Sequence, residues 1–431
     1  MQLSINNSLK TIMVSFVLVS ISLTLHSQTK ENREQDSIKK FSEITNPASV
    51  HAQVRADRET FKSEHGKTNL LKNIDAKNAS FTKKTGFTIG GDYNSAIHGG
   101  TNTIGDEFAA SGVARLYGHW YFAGRNNPNN EGGIVFKIEN RHAYTDLPIQ
   151  IWGALGVGYA GTTLPVYGDD GWYQTNLYWR QSFMKGRLVF YAGYTDMKDW
   201  TDLYALISPW QGFQNLIFAT GSGTTGAGYP DGSLGMMVSA FLTDDIYVVA
   251  SFNDINRTND NVFRATGDFF KKFETIKIVE VGYLPGGKKS IFSRNFHVTF
   301  WQVDESSISG TPNGWGVSGS LSWKLDNNWM PFLRGGWSED GGALYSASAS
   351  AGVGYFFPNK DVLGIGLNWN QPSASTLAPG LRDQYVFETY YKWMPAAHIE
   401  LTPDVQLIGN PSLNPDADLV LVGALRLRMF I

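Results

Sequence analysis

The sequence contains no cysteine, and this absence removes several kinds of chemistry at once. Disulfide bonds, thiolate metal sites and cysteine nucleophiles are all excluded. Charged residues are also scarce, at 17% of the 431 residues, and the formal net charge is only -3. Because there is no excess of positive charge, there is no electrostatic case for binding nucleic acid. We therefore expect no nucleic-acid partner and no thiol chemistry.

Long apolar runs are lacking as well, with one exception near the N-terminus. The stretch TIMVSFVLVSISLTL follows Lys10 and is closed by the small residue Ser27. A short apolar core that ends in a small residue is typical of a secretory signal peptide, which we predict over residues 1–27. The alternative is a transmembrane anchor, but that needs about 20 apolar residues, and this run is shorter and interrupted by serines and a threonine.

Residues 28–84 have few large apolar side chains and many charged ones. Such a segment cannot bury enough apolar surface to form a core of its own. We predict that it is a polar periplasmic N-terminal extension, partly helical or disordered.

Aromatic residues and glycine are present in quantity, at 13% and 46 residues. That mixture is typical of many strands joined by turns rather than of a helical protein. We count sixteen strand-like segments after residue 84, and apolar and polar side chains alternate in many of them. IVFKIENR places Ile134 and Ile138 on its apolar face, and LYSASASAGVGYF places Tyr345 and Ala349 on its apolar face.

The last stretch, LVLVGALRLRMFI, shows the same alternation with a strong contrast between its faces. Leu421, Leu425 and Leu427 fall on one face, and Arg426 and Arg428 fall on the other. This pattern fits a strand with lipid on one side and water on the other. The interpretation depends on these leucines lying at a lipid-facing surface rather than in a core.

The connections between the segments alternate between short and long. Short ones such as FMKG, TDD, DNN and PNK contrast with the long residues 142–171, 196–232 and 254–273. Bacterial outer-membrane barrels combine short periplasmic turns, long outer loops and an even number of strands, whereas a β-sandwich has mixed crossovers. We therefore predict an all-β fold, a transmembrane antiparallel up-and-down β-barrel of about 16 strands over residues 85–431.

A barrel of this size is too wide to be filled by its own side chains, so we expect a water-filled lumen. The side chains predicted to face inward by strand parity include Arg115, Lys137, Glu139, Arg141, Gln174, Arg180, Arg334, Glu388, Arg426 and Arg428. An anion pore would have a cationic ring with few carboxylates, whereas mixed donors and acceptors suit a neutral polyhydroxylated solute. Apolar faces of a sugar ring can also lie on Trp200 and Trp210 of a long loop.

Several motifs resemble the carbohydrate-selective porin (OprB) family. They are DVLGIGL (361–367), FETYYKW (387–393) and, with the greatest specificity, LTPDVQLIGNP (401–411), followed by LVLVGALRLRMF. The stretch FLRGGWSED also resembles a Phe-x-Arg-x-Gly strand of that family. The resemblance implies an outer-membrane porin that gives carbohydrates, glucose-like mono- and small oligosaccharides, a water-filled channel for passive facilitated diffusion.

The resemblance also assigns roles to two residues. Arg334 matches the family's strand arginine and Glu388 its strand glutamate, so both are candidates to line the narrow part of the channel. For Arg334, a structural ion pair with a neighbouring carboxylate is the alternative to solute contact. For Glu388 we favour structural pairing, with Lys392 or an arginine of an adjacent strand.

Other functions remain open at this point. The main alternative is a porin of different selectivity, for anions, organic acids or general small solutes. An enzyme housed in a barrel would need a nucleophile with an oriented base. Of the eight histidines, the four in or beside predicted strands have no obvious serine and acid companions, namely His119, His142, His297 and His398. A soluble glycan-cleaving β-protein would need paired carboxylates in a cleft and would not explain the alternating connections.

The expected partners follow from the barrel interpretation. They are sugar solutes, the lipid bilayer of a Gram-negative outer membrane, and the barrel-insertion machinery, which reads a C-terminal strand such as the one ending at Phe430 and Ile431. We expect no cofactor and no enzymatic activity. Many porins form trimers, but no feature of the sequence marks an intersubunit face, so a homotrimer stays open.

Overall fold

The computed structural model describes residues 44–62, 69, 71–125, 127, 129–159, 161, 165–226, 230–256 and 262–431. The signal peptide predicted over residues 1–27 lies outside the described residues, and the predicted domain boundaries stay a prediction. No helix within the described part of the chain is both long and apolar enough to cross a membrane.

The described residues form sixteen antiparallel strands that close into a barrel. Each strand pairs with its neighbours in sequence, and β1 closes the barrel by pairing with β16, with Tyr93 opposite Met429. The strands are β1 (Phe87–Gly100), β2 (Phe108–Ala123), β3 (Asn130–Ala143), β4 (Gly171–Phe183), β5 (Leu188–Asp196), β6 (Asp231–Phe241), β7 (Ile246–Asp254), β8 (Thr275–Tyr283), β9 (Arg294–Val303), β10 (Gly314–Trp323), β11 (Trp329–Asp340), β12 (Tyr345–Phe356), β13 (Val362–Pro372), β14 (Gln384–Ala396), β15 (Ile399–Gly409) and β16 (Leu419–Phe430). The predicted fold class is confirmed.

Helices occupy only the segment before β1 and the connections between strands. The α-helices of the described residues are α1 (Val50–Lys62), α2 (Lys72–Thr85), α3 (Ile149–Trp152) and α4 (Val262–Lys272). A π-helical turn spans Gly153–Val157, and 3-10 turns span Pro165–Tyr167, Met184–Gly186, Met197–Asp199, Leu216–Phe218, Thr220–Gly223 and Gly287–Ser290. Gly86 ends α2 with a φ of +76°, a left-handed conformation that glycine adopts without strain, and the chain turns there into β1.

The two ends of the barrel differ in the length of their connections. At one end, the turn end, they are short, covering residues 124–129, 184–187, 242–245, 324–328, 357–361 and 397–398. At the other, the loop end, they include residues 144–170, 197–230 and 255–274. Two connections depart from the alternation, 284–293 at the turn end and 341–344 at the loop end.

The outer face of β16 carries the apolar side chains that the sequence indicated. Leu421 and Leu425 are 41% and 46% exposed, whereas Arg426 and Arg428 on the opposite face are each 1% exposed. Leu427 is half-buried. The leucine row therefore lies on the outside of the barrel and does not pack into a core.

Aromatic side chains on the outer face lie near both ends of the barrel. Trp315 and Tyr385 lie towards the loop end and are 41% and 52% exposed, while Trp393 lies towards the turn end and is 48% exposed. This is the arrangement of the aromatic girdles that flank the lipid-facing band of outer-membrane barrels.

The lumen, by contrast, is filled to a large extent, which corrects the expectation of a wide water-filled interior. The described residues of three segments fold into it: the N-terminal lumen segment (residues 44–62), the β3–β4 loop (residues 144–170) and the constriction loop (residues 197–230). Ile44 and Val50 of the first segment are each 1% exposed. Trp152 of the second and Tyr204 of the third are fully buried. Inward strand residues therefore contact protein over much of the interior.

Candidate channel and its constriction

The constriction loop is anchored to one wall of the barrel through the carboxylate of Asp202. This group accepts hydrogen bonds from the Arg334 guanidinium of β11 and from the N–H of Gly221, and it lies 3.0 Å from Nε2 of His297. The N–H of Asp202 donates to Glu280 of β8 at 2.6 Å. Burial by itself disfavours the ionised carboxylate, but Arg334 and His297 hold the pKa of Asp202 below its usual value.

Arg334 is buried and bound on several sides. Besides Asp202, its guanidinium donates to the carbonyl of Ala219 at 2.7 Å and to the hydroxyl of Ser320 at 2.8 Å. Its side chain is 0% exposed. Arg334 thus joins β11 to two points of the constriction loop.

Glu388 of β14 and Arg426 of β16 hold the same loop further round the barrel wall. The Glu388 carboxylate accepts the N–H groups of Gln214 and Asn215 at 2.6 and 3.1 Å. Arg426 donates to the carbonyls of Pro209 and Gly212 at 2.6 and 3.0 Å. Glu388 therefore binds loop backbone, whereas the sequence favoured a pairing with Lys392 or an arginine. The constriction loop thus crosses the lumen from its ends at β5 and β6 to these strands of the wall.

Two inward-facing glycines make room for the loop. A Cβ added to Gly336 of β11 would lie 2.0 Å from Oγ1 of Thr224, and one added to Gly366 of β13 would lie 2.6 Å from Cε1 of Phe218. Both distances are far below van der Waals contact, so a side chain at either position would displace the loop.

A small pocket, here named the passage, remains between the constriction loop and the wall formed by β3. Its charged lining residues are three cations and three carboxylates, namely Lys137, Arg141, Lys198, Glu139, Asp196 and Asp199. Its other lining residues are Asn46, Ala48, Val166, Ile207, Pro209, Trp210 and Ala219. The lining of the passage thus combines balanced charge with an aromatic ring.

The charged groups of the passage are paired with each other. Arg141 donates to Glu139 at 2.6 Å, and its guanidinium lies 4.5 Å from the centre of the Tyr173 ring. Nζ of Lys137 lies 3.7 Å from a carboxylate oxygen of Asp196. These pairs hold both signs in fixed positions at the lining surface.

The two loop tryptophans have different environments. Trp210 lines the passage, and the Arg115 guanidinium lies 3.7 Å from the centre of its ring. Trp200 is 2% exposed and stacks on Tyr191 of β5 at 5.0 Å. Trp210 is 3% exposed, so both rings are buried, and of the two Trp210 borders the passage.

The remaining predicted arginines hold other groups. Arg115 binds Asp92 on β1, with its Nε at 2.7 Å from the carboxylate. Arg180 lies 3.5 Å from Glu131 towards the turn end. Arg428 binds three carboxylates, including Asp92 at 2.7 Å.

The structure thus separates the predicted lumen residues into three groups. Lys137, Glu139, Arg141 and Trp210 line the passage. Arg334, Glu388 and Arg426 bind the constriction loop, and Arg115, Arg180, Arg428 and Trp200 are buried against other protein groups. Gln174 does not follow the predicted parity: it is half-buried, and its neighbour Tyr173 faces inward at a break in the β3–β4 register. The roles of all these residues in solute transfer stay predictions.

Comparison with known proteins places this barrel among the porins. Residues 288–429, which include almost all of the last eight strands, match the family model of the carbohydrate-selective porin, OprB family. The match covers 142 of the 431 residues and includes the 401–411 motif. The resemblance suggested by the 401–411 motif is therefore confirmed. Family and fold are those of channels and imply an outer-membrane protein.

Solved structures show the same fold at low sequence identity. Pseudomonas putida OprB at high pH is 16% identical, with a TM-score of 0.63 over 83% of this chain and 97% of that chain. A mutant of Rh. blastica porin is 10% identical, with a TM-score of 0.50 over 80% of this chain and 100% of that chain. A search of curated proteins found no match.

Proposed function

We propose that this protein is a porin of the Gram-negative outer membrane that lets glucose-like mono- and small oligosaccharides diffuse through a water-filled passage. The observation that carries the proposal is the lining of the passage. Lys137, Glu139 and Arg141 offer fixed donors and acceptors, with Trp210 among the other lining residues.

This lining fits a neutral sugar better than an ion. Sugar hydroxyls both donate and accept, so they can use ammonium, guanidinium and carboxylate groups together. An anion-selective pore would show cations with few carboxylates, whereas here three face three. Transport requires that a solute leave as readily as it enters, so binding is expected to be weak.

We further infer that the chain is inserted by the barrel-assembly machinery, which would read β16 with its terminal Phe430. The Phe430 ring is on the inner face and is 2% exposed, while Met429 beside it faces outward. A homotrimer stays a prediction.

The proposal is tested by solute flux into liposomes that contain the purified protein. Sugars should enter faster than amino acids or anions of similar size, and added glucose should reduce the ionic current in planar bilayers. Faster entry of organic acids or phosphate would instead support a porin of different selectivity.

Removing the positive charge of Lys137 should weaken the block of the ionic current by glucose. In Lys137→Met the passage keeps three carboxylates but only two cations, and one hydrogen-bond donor to the sugar is lost. We expect glucose to block the current about 2- to 10-fold less strongly, the equivalent of one hydrogen bond, and the current to become more cation-selective. Lys289→Met, at an exposed position of the turn end, is the matched control and should behave as wild type.

Ion selectivity should also depend on pH through Asp199. Burial raises the pKa of Asp199 to about 6, although the nearby Lys137 opposes the shift. Above that pH the carboxylate is ionised and balances a cation of the passage; below it the group is neutral and the lining becomes net positive. The permeability ratio of cations to anions should therefore fall on acidification through about pH 6.

The variant Asp199→Asn isolates this group. At about pH 8 it should already have the permeability ratio that the wild type shows at low pH, and this ratio should not change near pH 6. Reversal potentials in a KCl gradient measure both quantities, with Asp244→Asn at the exposed turn end as the control. An unchanged transition in Asp199→Asn would assign the pH dependence to another group.

A further inference from the structure

One wall of the passage comes from the segment that precedes the barrel. Asn46 and Ala48 lie among its lining residues. The N–H of Asn46 donates to the carbonyl of Asp199 at 2.6 Å, and its side-chain amide donates to the carbonyl of Lys198 at 2.8 Å. The N-terminal lumen segment is therefore joined to the constriction loop at the narrow part of the channel.

The segment is packed against the inner wall by apolar contacts. Ile44, Val50 and Val54 are at most 5% exposed and share a buried cluster with inward residues such as Tyr117 and Val249. The neighbouring ring of His51 stacks on His119 of β2 at a centroid distance of 4.8 Å. These contacts fill lumen space that would otherwise be open to water.

A buried ion pair ties α1 to the last strand. The Asp57 carboxylate is bound by the Arg428 guanidinium with contacts of 2.9 and 3.0 Å, and it accepts the hydroxyl of Tyr117 at 3.0 Å. Arg428 also binds Asp92 and Glu400 of the wall. This pair joins residues 371 positions apart in sequence.

The charges of the wall favour docking of this helix. The wall groups around Asp57 are Arg115, Arg428, Lys392, Asp92 and Glu400, linked to one another by contacts of 4.0 Å or less. Without Asp57 they hold three cations and two carboxylates, so the helix supplies the carboxylate that balances them. In the described residues, the barrel itself closes through β1 and β16 and uses no strand from this segment.

We propose that the N-terminal lumen segment is a built-in restriction of the channel: held in place by the Asp57–Arg428 ion pair, it narrows the passage and limits the size of solute that crosses. The proposal rests on the channel function but not on a preference for sugars, so it can be tested with salt alone.

The first test weakens the ion pair with Asp57→Asn, which removes one charge and changes the shape little. We expect the single-channel conductance in KCl to rise by about twofold or more, because the current grows with the open cross-section of the lumen. The size limit for sugars in liposome swelling should rise with it. Glu59→Gln on the same helix is the matched control, because Glu59 is 42% exposed and pairs with Arg55 of its own helix.

A reversible cross-link shows whether the segment itself causes the change. A Cβ at Gly90 of β1 would lie 3.5 Å from Cγ2 of Val54, so the pair Val54→Cys and Gly90→Cys is placed to form a disulfide. The chain has no cysteine of its own, so this bond would be unique. Added to Asp57→Asn, the pair should give high conductance when reduced and wild-type conductance when oxidised.

Two results would overturn the proposal. Wild-type conductance in the reduced triple variant would show that the ion pair does not hold a restriction, and high conductance that persists after oxidation would show that the docked segment does not narrow the passage.

Should Asp57→Asn fail to fold, Ala48→Trp tests the same point by enlarging a lining residue. It should lower the KCl conductance, and an unchanged value would contradict the proposal whatever solute the channel prefers.

Discussion

Arg334→Ala is expected to raise ionic conductance and abolish any preference among solutes. The substitution leaves the buried Asp202 carboxylate without its main partner and frees the Ala219 carbonyl and the Ser320 hydroxyl. Removing one partner of a buried ion pair costs about 3–5 kcal/mol. The constriction loop would then be free to leave the β8–β11 side of the wall and open the lumen.

The two roles considered for Arg334 predict opposite results. If Arg334 acts by anchoring the loop, its loss raises the KCl conductance while sugars lose their advantage over other solutes. If Arg334 instead contacts sugars directly, its loss lowers sugar flux and leaves the KCl conductance near that of wild type. Single-channel recordings and liposome swelling on the same preparation distinguish these outcomes.

Arg187→Ala is the control for the loss of an arginine. Arg187 pairs with Asp244 at the turn end, where the two side chains are 42% and 89% exposed. Exposed pairs contribute about 0–1 kcal/mol, so this variant should keep the stability and conductance of wild type. An equal effect of the two substitutions would contradict the anchoring role.

The strand pattern was predictable because it reports a local property. Side chains of a strand alternate between two faces, so Leu425 and Arg426 fall on opposite sides in any barrel that uses this segment. The alternation of short and long connections further predicted that the two ends of the barrel differ. Neither inference requires knowledge of which distant residues meet.

The parity argument was wrong where a strand contains an irregularity. Tyr345 was expected on the outer face with Ala349, but it is fully buried, and its hydroxyl accepts from Gln384 at 3.2 Å. The register shifts between Tyr345 and Ala347, so one extra residue reverses the faces beyond it. Gln174 was misplaced for the same reason. Nothing in the local sequence marks such a position.

The filled lumen was missed because parity says which way a side chain points and not what it meets. Asp202 and Arg334 are 132 residues apart, and Asp57 and Arg428 are 371 apart. Two features of the sequence do indicate a filled lumen. The stretch LYALISPWQGFQNLIF of the constriction loop is far too apolar for an exposed loop. Glycines at the inward positions Gly336 and Gly366 offer space instead of polar groups.

If the outer face of β16 contacts lipid, a charge placed on that face should lower the stability of the barrel. Leu425 lies near the middle of this strand and is 46% exposed on the outer face, so Leu425→Arg would place a charge in the hydrocarbon region. For outer-membrane barrels this costs about 2–4 kcal/mol at the midplane of the bilayer, falling to about 0–1 kcal/mol near the interfaces. We expect a loss of folding stability of that size in lipid vesicles, measured by denaturant titration.

Met429→Arg is the matched control, because Met429 lies on the same face of the same strand, close to the turn end, and is 43% exposed. Its cost should be small, since an arginine there can reach the polar interface. Equal costs at the two positions, or none at Leu425, would mean that the outer face of β16 does not contact acyl chains. A polar passage through the lumen would then have no membrane to cross, so the depth dependence of this pair of variants tests the premise of the channel itself.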